Sequence, residues 1–357
     1  MYCAIHSALA ATIRLCSFQS FKKMEQKVYI KAFSHISAQQ PMSEDWFSSP
    51  CEYAEPYVRA IDPDFKQFIP PMQARRMGLI MKRALSTSLD VMKKTGIEHP
   101  DAIITGTGMG CLENTELILD SLCHVGEQTL KPTHFMQSTH NTISSLVAIH
   151  TGSHGYNSTF AHGGISFESA LFDAFLQFRL GKIKNALVGV HDELTPAGYE
   201  VLKRGGFLCA KLNSEASVAF MLDTEKSGAV CELSSVRIFN RPALSTIVEE
   251  IGRMLKQSGD EKLDAVVCGY NGNLQNDKMY DELVGLLGEV PVLKYKNIFG
   301  ESYAASGLGV YVSACCLNKE NLPEHLTDGK PVAGLKNILF VNHYRCTDVS
   351  LVLLKRM

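Results

Sequence analysis

Several things are missing from this 357-residue chain, and each absence removes a class of function. No segment reaches the ~18 uninterrupted apolar residues that a membrane-spanning helix needs. Its 35 basic and 37 acidic residues leave a formal charge of -2, so no excess of positive charge invites nucleic acid or an anionic membrane. The eleven cysteines form no CxxC pair and show no metal-ligand spacing, which argues for buried free thiols in a reducing, cytoplasmic setting. No histidine or carboxylate stands at ligand spacing from His140, so no metal is expected. The glycines of Gly106–Gly110 stop short of a dinucleotide fingerprint, since Cys111 stands where the last glycine belongs, and no cofactor is expected.

What remains is an ordinary globular composition, 45% hydrophobic and 20% charged, on a chain long enough for two fused halves. Residues 1–24 are expected to be a disordered leader or to precede the true start at Met24. A first strand follows at Val28–Phe33. Residues 72–95 read as one amphipathic helix. Helices are expected around Asn114–Leu122 and Thr142–His150. Ala186–Val190 reads as a buried strand, and Ala216–Leu222 with Ala229–Phe239 as a hairpin turned at Glu225–Gly228.

Then the pattern restarts. Asp101-Ala102 opens an apolar run ending at Gly106, and Asp264-Ala265 opens another ending at Gly269. Helix, short strand, glycine turn, helix and two closing strands follow. The repeat predicts two βα-rich halves, 25–240 and 241–357, in a layered α/β architecture.

The most informative stretch is His154–Val190. It has the layout of a nucleophile elbow: a short polar strand, a small-residue turn, a helix and an apolar strand. Gly155-Tyr156-Asn157-Ser158-Thr159-Phe160 resembles the entry of the β-ketoacyl synthase elbow, GPNSTIVTACATGTHAI, and Glu168-Ser169-Ala170-Leu171 its helix. Asn185–Glu193 resembles the family's next strand with its acidic turn. Lys294–Glu301 followed by Ala304–Gly307 resembles KSxxGHxxGAAG, and Asn342–Leu351 the closing NSFGFGGTNxxL. The four motifs stand in family order, and the resemblance runs from about Val28 to the end. It implies the thiolase-like fold, a layered αβαβα architecture of two duplicated halves.

Family members use a cysteine thiolate, favoured by a helix N-terminus, and two histidines that assist decarboxylation. Carried over, the nucleophile position falls on Gly164. The first histidine falls on Gly269, or on Asn271 if the loop is shorter, and the second on Glu301. The family lysine is present as Lys296. The terminal GFGG is shortened to Tyr344-Arg345-Cys346. Glycine supplies no nucleophile, and an ionised Glu301 would repel an enolate. His162, two residues before Gly164, is a substitute candidate but reads better as a packed residue. Ser166 reads as a helix N-cap.

Phe135, Gln137 and His140 lie in an unusually polar segment, read as pocket lining, dimer interface or a satisfied buried network. With Lys296 and Tyr344 they complete the substrate-binding candidates. The basic residues Arg179, Lys182, Lys184, Lys203 and Arg204 either meet an acidic acyl-carrier protein or are solvated charges.

The resemblance therefore implies a catalytically degenerate ketosynthase-like protein, nearest in character to the chain-length factors of polyketide and aryl-polyene assembly. Its expected partner is a homologous active ketosynthase, or a second copy of itself. The alternatives are an active acyltransferase with an unusual nucleophile and a stand-alone acyl-binding protein. No nucleic-acid or membrane partner is expected.

Overall fold

The computed structural model describes residues 26–127, 130–208, 210–327 and 334–357; the leader expected at 1–24 lies outside them. The apolar runs form ten strands: β1 Val28–Ile36, β2 Ala102–Gly106, β3 Tyr156–Phe160, β4 Asn185–Asp192, β5 Ala216–Asp223, β6 Cys231–Asn240, β7 Ala265–Cys268, β8 Val292–Leu293, β9 Asn337–Tyr344 and β10 Asp348–Lys355. The helices longer than a single turn are α1 Leu79–Thr95, α2 Leu112–His124, α3 Pro132–Gln137, α4 Thr142–Thr151, α5 Ser166–Arg179, α6 Pro196–Arg204, α7 Leu244–Ser258, α8 Leu274–Leu287 and α9 Ala305–Lys319.

The strands run in the order β3-β2-β4-β5-β1-β6-β10-β9-β7-β8. The order is symmetrical. In the first half β3, β2 and β4 are parallel and β5 and β1 continue antiparallel. On the other side of the sheet β8, β7 and β9 are parallel and β10 and β6 continue antiparallel, β6 joining this side although Cys231–Asn240 precedes the boundary expected at 240. A short antiparallel contact of β1 with β6, at Val28–Ile30, joins the two.

The sequence repeat falls on equivalent strands, β2 and β7. Its aspartates do the same work. Asp101 Oδ2 accepts the Lys184 N–H at 2.7 Å, and Asp264 Oδ2 accepts the Lys336 N–H at 2.8 Å, each pinning the strand beside its own.

Burial produces the layers. Helices α5 and α9 share one large core with the inner strand faces of both halves. Helix α9 is buried at every residue from Ala305 to Leu317, as a helix packed on all sides must be. A Cβ on Gly309 would stand 2.1 Å from the Phe340 ring, so glycine sets the approach of α9 to β9. Hydrophobic faces of α1 and α4 cover the outer side of the first half, and α7 and α8 cover the second. The result is helix, sheet, helix, sheet, helix.

Two expectations are corrected. The segments β5 and β6 do not pair with each other. Strand β1 lies between them, and Lys31 Nζ donates to the Glu225 and Ser227 carbonyls in the connecting turn. Apolar runs mark both segments as strands without showing that a third strand from the N-terminal end separates them. The helix expected over 72–95 is two pieces, a turn at Pro71–Ala74 and α1. The break is at Gly78, which is extended and packs against Asn114.

Candidate functional site

Strand β3 leads into a tight turn at Gly163–Ile165 and then into α5. Ser166 is the first residue of that helix rather than the N-cap expected of it. Its buried Oγ accepts the His162 N–H at 2.8 Å and lies 2.7 Å from the Gly163 carbonyl, pinning the turn. Gly163 is left-handed, with φ of 57°.

The turn meets the hairpin between β9 and β10. There the Tyr344 ring lies against both glycines. A Cβ built on Gly164 would stand 2.7 Å from Tyr344 Cδ2, and one on Gly163 would stand 2.7 Å from Cε1. The phenol thus fills the volume that a side chain at 164 would need. Around it, Tyr303 packs edge-on at 6.1 Å, and the Arg345 guanidinium sits 5.1 Å over the Tyr344 ring and 4.9 Å over Phe207.

A pocket of about 430 Å³ opens beside this wall. Of the site candidates, Gly164, Gly269, Asn271, Lys296, Glu301 and Tyr344 all line it. Lys296, on a single helical turn at Lys296–Phe299, donates to both Glu301 carboxylate oxygens, at 2.9 and 2.8 Å. Asn271 Nδ2 donates to the same carboxylate at 2.8 Å. A Cβ on Gly269 would meet the Tyr280 hydroxyl at 2.6 Å and Lys296 Nζ at 3.1 Å. Glycine at 269 therefore leaves room for the lysine and the tyrosine. Lys296 and Glu301 thus form an ion pair in the pocket lining, and the turn at Gly163–Gly164 carries no side chain.

The other candidates lie elsewhere. His162 is exposed, does not line the pocket, and its Nδ1 stands 2.9 Å from Ser169 Oγ. Phe135 and His140 are exposed and Gln137 half-buried, at the end of α3 and the turn after it. None of the three lines the pocket, and Gln137 donates to the Arg76 carbonyl instead.

Two buried acids emerge that the sequence showed only as parts of motifs. Glu168 is fully buried in the first turn of α5, where Asn342 Nδ2 and Ser350 Oγ both donate to its Oε1 at 2.8 Å. Burial raises its pKa, against the pull of those donors. Asn342 also donates to the Gly164 carbonyl at 3.0 Å, so β9 holds the elbow backbone directly. Asp192, at the end of β4, accepts from the N–H groups of Gly108 and Met109 and from the Thr107 hydroxyl. Burial pushes it up to about 7 despite these donors. The signal for it was an acid closing an otherwise apolar strand.

Among the described residues no group of three His, Cys, Asp or Glu side chains is placed to hold a metal ion, and no helix is long and apolar enough to cross a membrane.

Residues 46–268 match the family model described as beta-ketoacyl synthase, N-terminal domain. No curated protein sequence matches the chain. Among solved structures, the ishigamide ketosynthase/chain length factor is similar with a TM-score of 0.76 at 17% identity, covering 93% of this chain and 99% of that one. A beta-ketoacyl synthase from Burkholderia phymatum gives 0.76 at 14%, covering 93% and 100%. The ketosynthase ApeO in complex with its chain length factor ApeC, from Xenorhabdus doucetiae, gives 0.74 at 13%, covering 93% and 98%. At these identities the likeness establishes the fold, which is the thiolase-like one expected from the motifs.

Proposed function

The chain belongs to the β-ketoacyl synthase family, and we propose that within it the protein is a non-catalytic, chain-length-factor-like subunit. It pairs with an intact ketosynthase in fatty acid, polyketide or aryl-polyene assembly, and the pair is served by an acyl-carrier protein. The observation behind this reading is the elbow itself. The turn and helix that would present a thiolate are kept, while Gly163 and Gly164 carry no side chain and Tyr344 occupies the space for one. Covalent acyl transfer needs a nucleophile at that point and a base or donor near it. Lys296 and Glu301, which line the pocket, are committed to each other.

Pairing has structural support. Among the described residues strand β3 ends the sheet with no further strand on its outer edge, and such an edge invites another strand. Beside it, α4 presents Ile149 almost fully to solvent, at 81% exposure. Two chains of one fold joined about a two-fold axis would cover both features.

The test is to express the chain alone and together with a ketosynthase that retains its cysteine and two histidines. A stable one-to-one complex, with no acyl adduct on this chain by mass spectrometry after exposure to acyl-loaded carrier protein, supports the proposal. Absence of a complex overturns the pairing, and an acyl adduct on the chain overturns the non-catalytic role.

A further inference from the structure

The elbow glycines and Tyr344 fit each other as a matched set. Both glycines approach the ring so closely that neither tolerates a Cβ without displacing it. Tyr303 on its edge and Arg345 over its face hold the ring from two other directions. The hairpin that carries it includes Arg345 and Cys346, with φ of 53° and 54°, a backbone state that non-glycine residues adopt only at a cost. Strain of this kind persists where surrounding contacts over-determine a position. Here the turn is closed by the Thr347 N–H donating to the Tyr344 carbonyl at 3.1 Å, which fixes the residue that carries the ring.

We propose that Tyr344 is a fixed steric plug that seals the elbow of this chain against hydrocarbon chains, making residue 344 the determinant of what the pocket admits. Acyl chains are then excluded from the elbow by shape, independently of the missing nucleophile. Removing the phenol frees an apolar volume beside the N-terminus of α5. Restoring a side chain at 164 without removing the phenol produces a collision.

Two measurements on the isolated chain test this. The first is titration with a fluorescent fatty acid, cis-parinaric acid. The wild type and Tyr344→Phe are expected to show no saturable binding, and Tyr344→Ala to gain it with an apparent affinity improved on the order of tenfold or more. Equal binding by wild type and Tyr344→Ala, or no gain in a Tyr344→Ala protein with a native circular dichroism spectrum, overturns the plug. The second is a double-mutant cycle read by melting temperature. Gly164→Ala is expected to lower the melting temperature by several degrees in the wild-type background and to have little effect beside Tyr344→Ala. Equal losses in both backgrounds overturn the plug. Should Tyr344→Ala fail to fold, Tyr344→Leu takes its place in both measurements. Because only this chain is used, failure to pair with a ketosynthase leaves the outcome unaffected.

Discussion

Lys296 Nζ lies 2.9 and 2.8 Å from the two carboxylate oxygens of Glu301, at the position that the family resemblance gives to a histidine. The lysine side chain is 5% exposed and the glutamate 21%, so the pair is mostly sheltered from water. Removing one member of such a pair strands the other charge, which costs more than the pair itself contributes. Glu301→Ala should destabilise the chain by about 2–3 kcal/mol in urea unfolding, the partial exposure of Glu301 keeping the loss below that of a fully buried pair. Replacing both, as Lys296→Met with Glu301→Leu, should recover most of that loss. A double variant no more stable than Glu301→Ala would show that the pair itself contributes the stability.

Asp192 gives the fold a pH dependence. Burial pushes its pKa up to about 7 from an ordinary 3.8, and Glu193 beside it is also pushed up to about 7, again chiefly by burial. A raised folded-state pKa means that the folded chain binds the proton more tightly than the unfolded chain. The stabilisation is therefore complete below about pH 4 and is lost as pH rises through about 7. As pH rises through about 7 each acid should lower the melting temperature, contributing on the order of 2–4 kcal/mol across its full range. The buried His35 and His191, whose pKa burial lowers, act in the opposite direction below about pH 6.5, so the Asp192 share is read as the difference between wild type and Asp192→Asn. Asp192→Asn cannot ionise yet can still accept from Gly108 and Met109. Its melting temperature, measured by scanning calorimetry, should lose less than that of the wild type as pH rises through about 7. An unchanged slope would count against a protonated Asp192.

The layered fold was legible because its signals are local. Strand β2 and strand β7 each announce themselves by an aspartate, an apolar run and a closing glycine. The elbow motif likewise lies within one continuous stretch. The false hairpin between β5 and β6 shows where local signals end, since the strand that separates them comes from residues 28–36. The site follows the same division. Lys296 and Glu301 are five residues apart and could be read together. The contact of Tyr344 with Gly164 joins positions 180 residues apart through the β9–β10 hairpin, and no periodicity records it. Phe135, Gln137 and His140 stand out in the sequence for the polarity of their segment, and α3 and the turn after it leave them outside the pocket lining.

The thiols should divide by burial. Cys111, Cys231, Cys268, Cys315 and Cys316 are buried, and burial raises each thiol's pKa, that of Cys111 to about 12. The reactive species is the thiolate, so these five should resist alkylation until the chain unfolds. Cys123 and Cys346 are exposed and Cys51 is intermediate. Brief maleimide treatment at neutral pH, followed by peptide mass spectrometry, should label Cys123 and Cys346 first among the described cysteines. Early labelling of Cys315 or Cys316 would contradict the enclosure of α9 between the two sheet halves.

Ile149 offers the sharpest separation of folding from pairing. It sits on α4 beside the outer edge of β3 and is 81% exposed, so the folded chain gains almost nothing from it. An aspartate there should shift stability by no more than about 0.5 kcal/mol, the usual range for surface substitutions. In a paired state the same carboxylate would be carried into an apolar contact without a partner, at a cost of several kcal/mol. Ile149→Asp is therefore expected to leave the melting temperature of the chain alone unchanged while weakening association with the ketosynthase on the order of a hundredfold. Analytical ultracentrifugation of the mixture would read the loss directly. Undiminished association by a normally folded Ile149→Asp chain would move the pairing face away from β3 and α4.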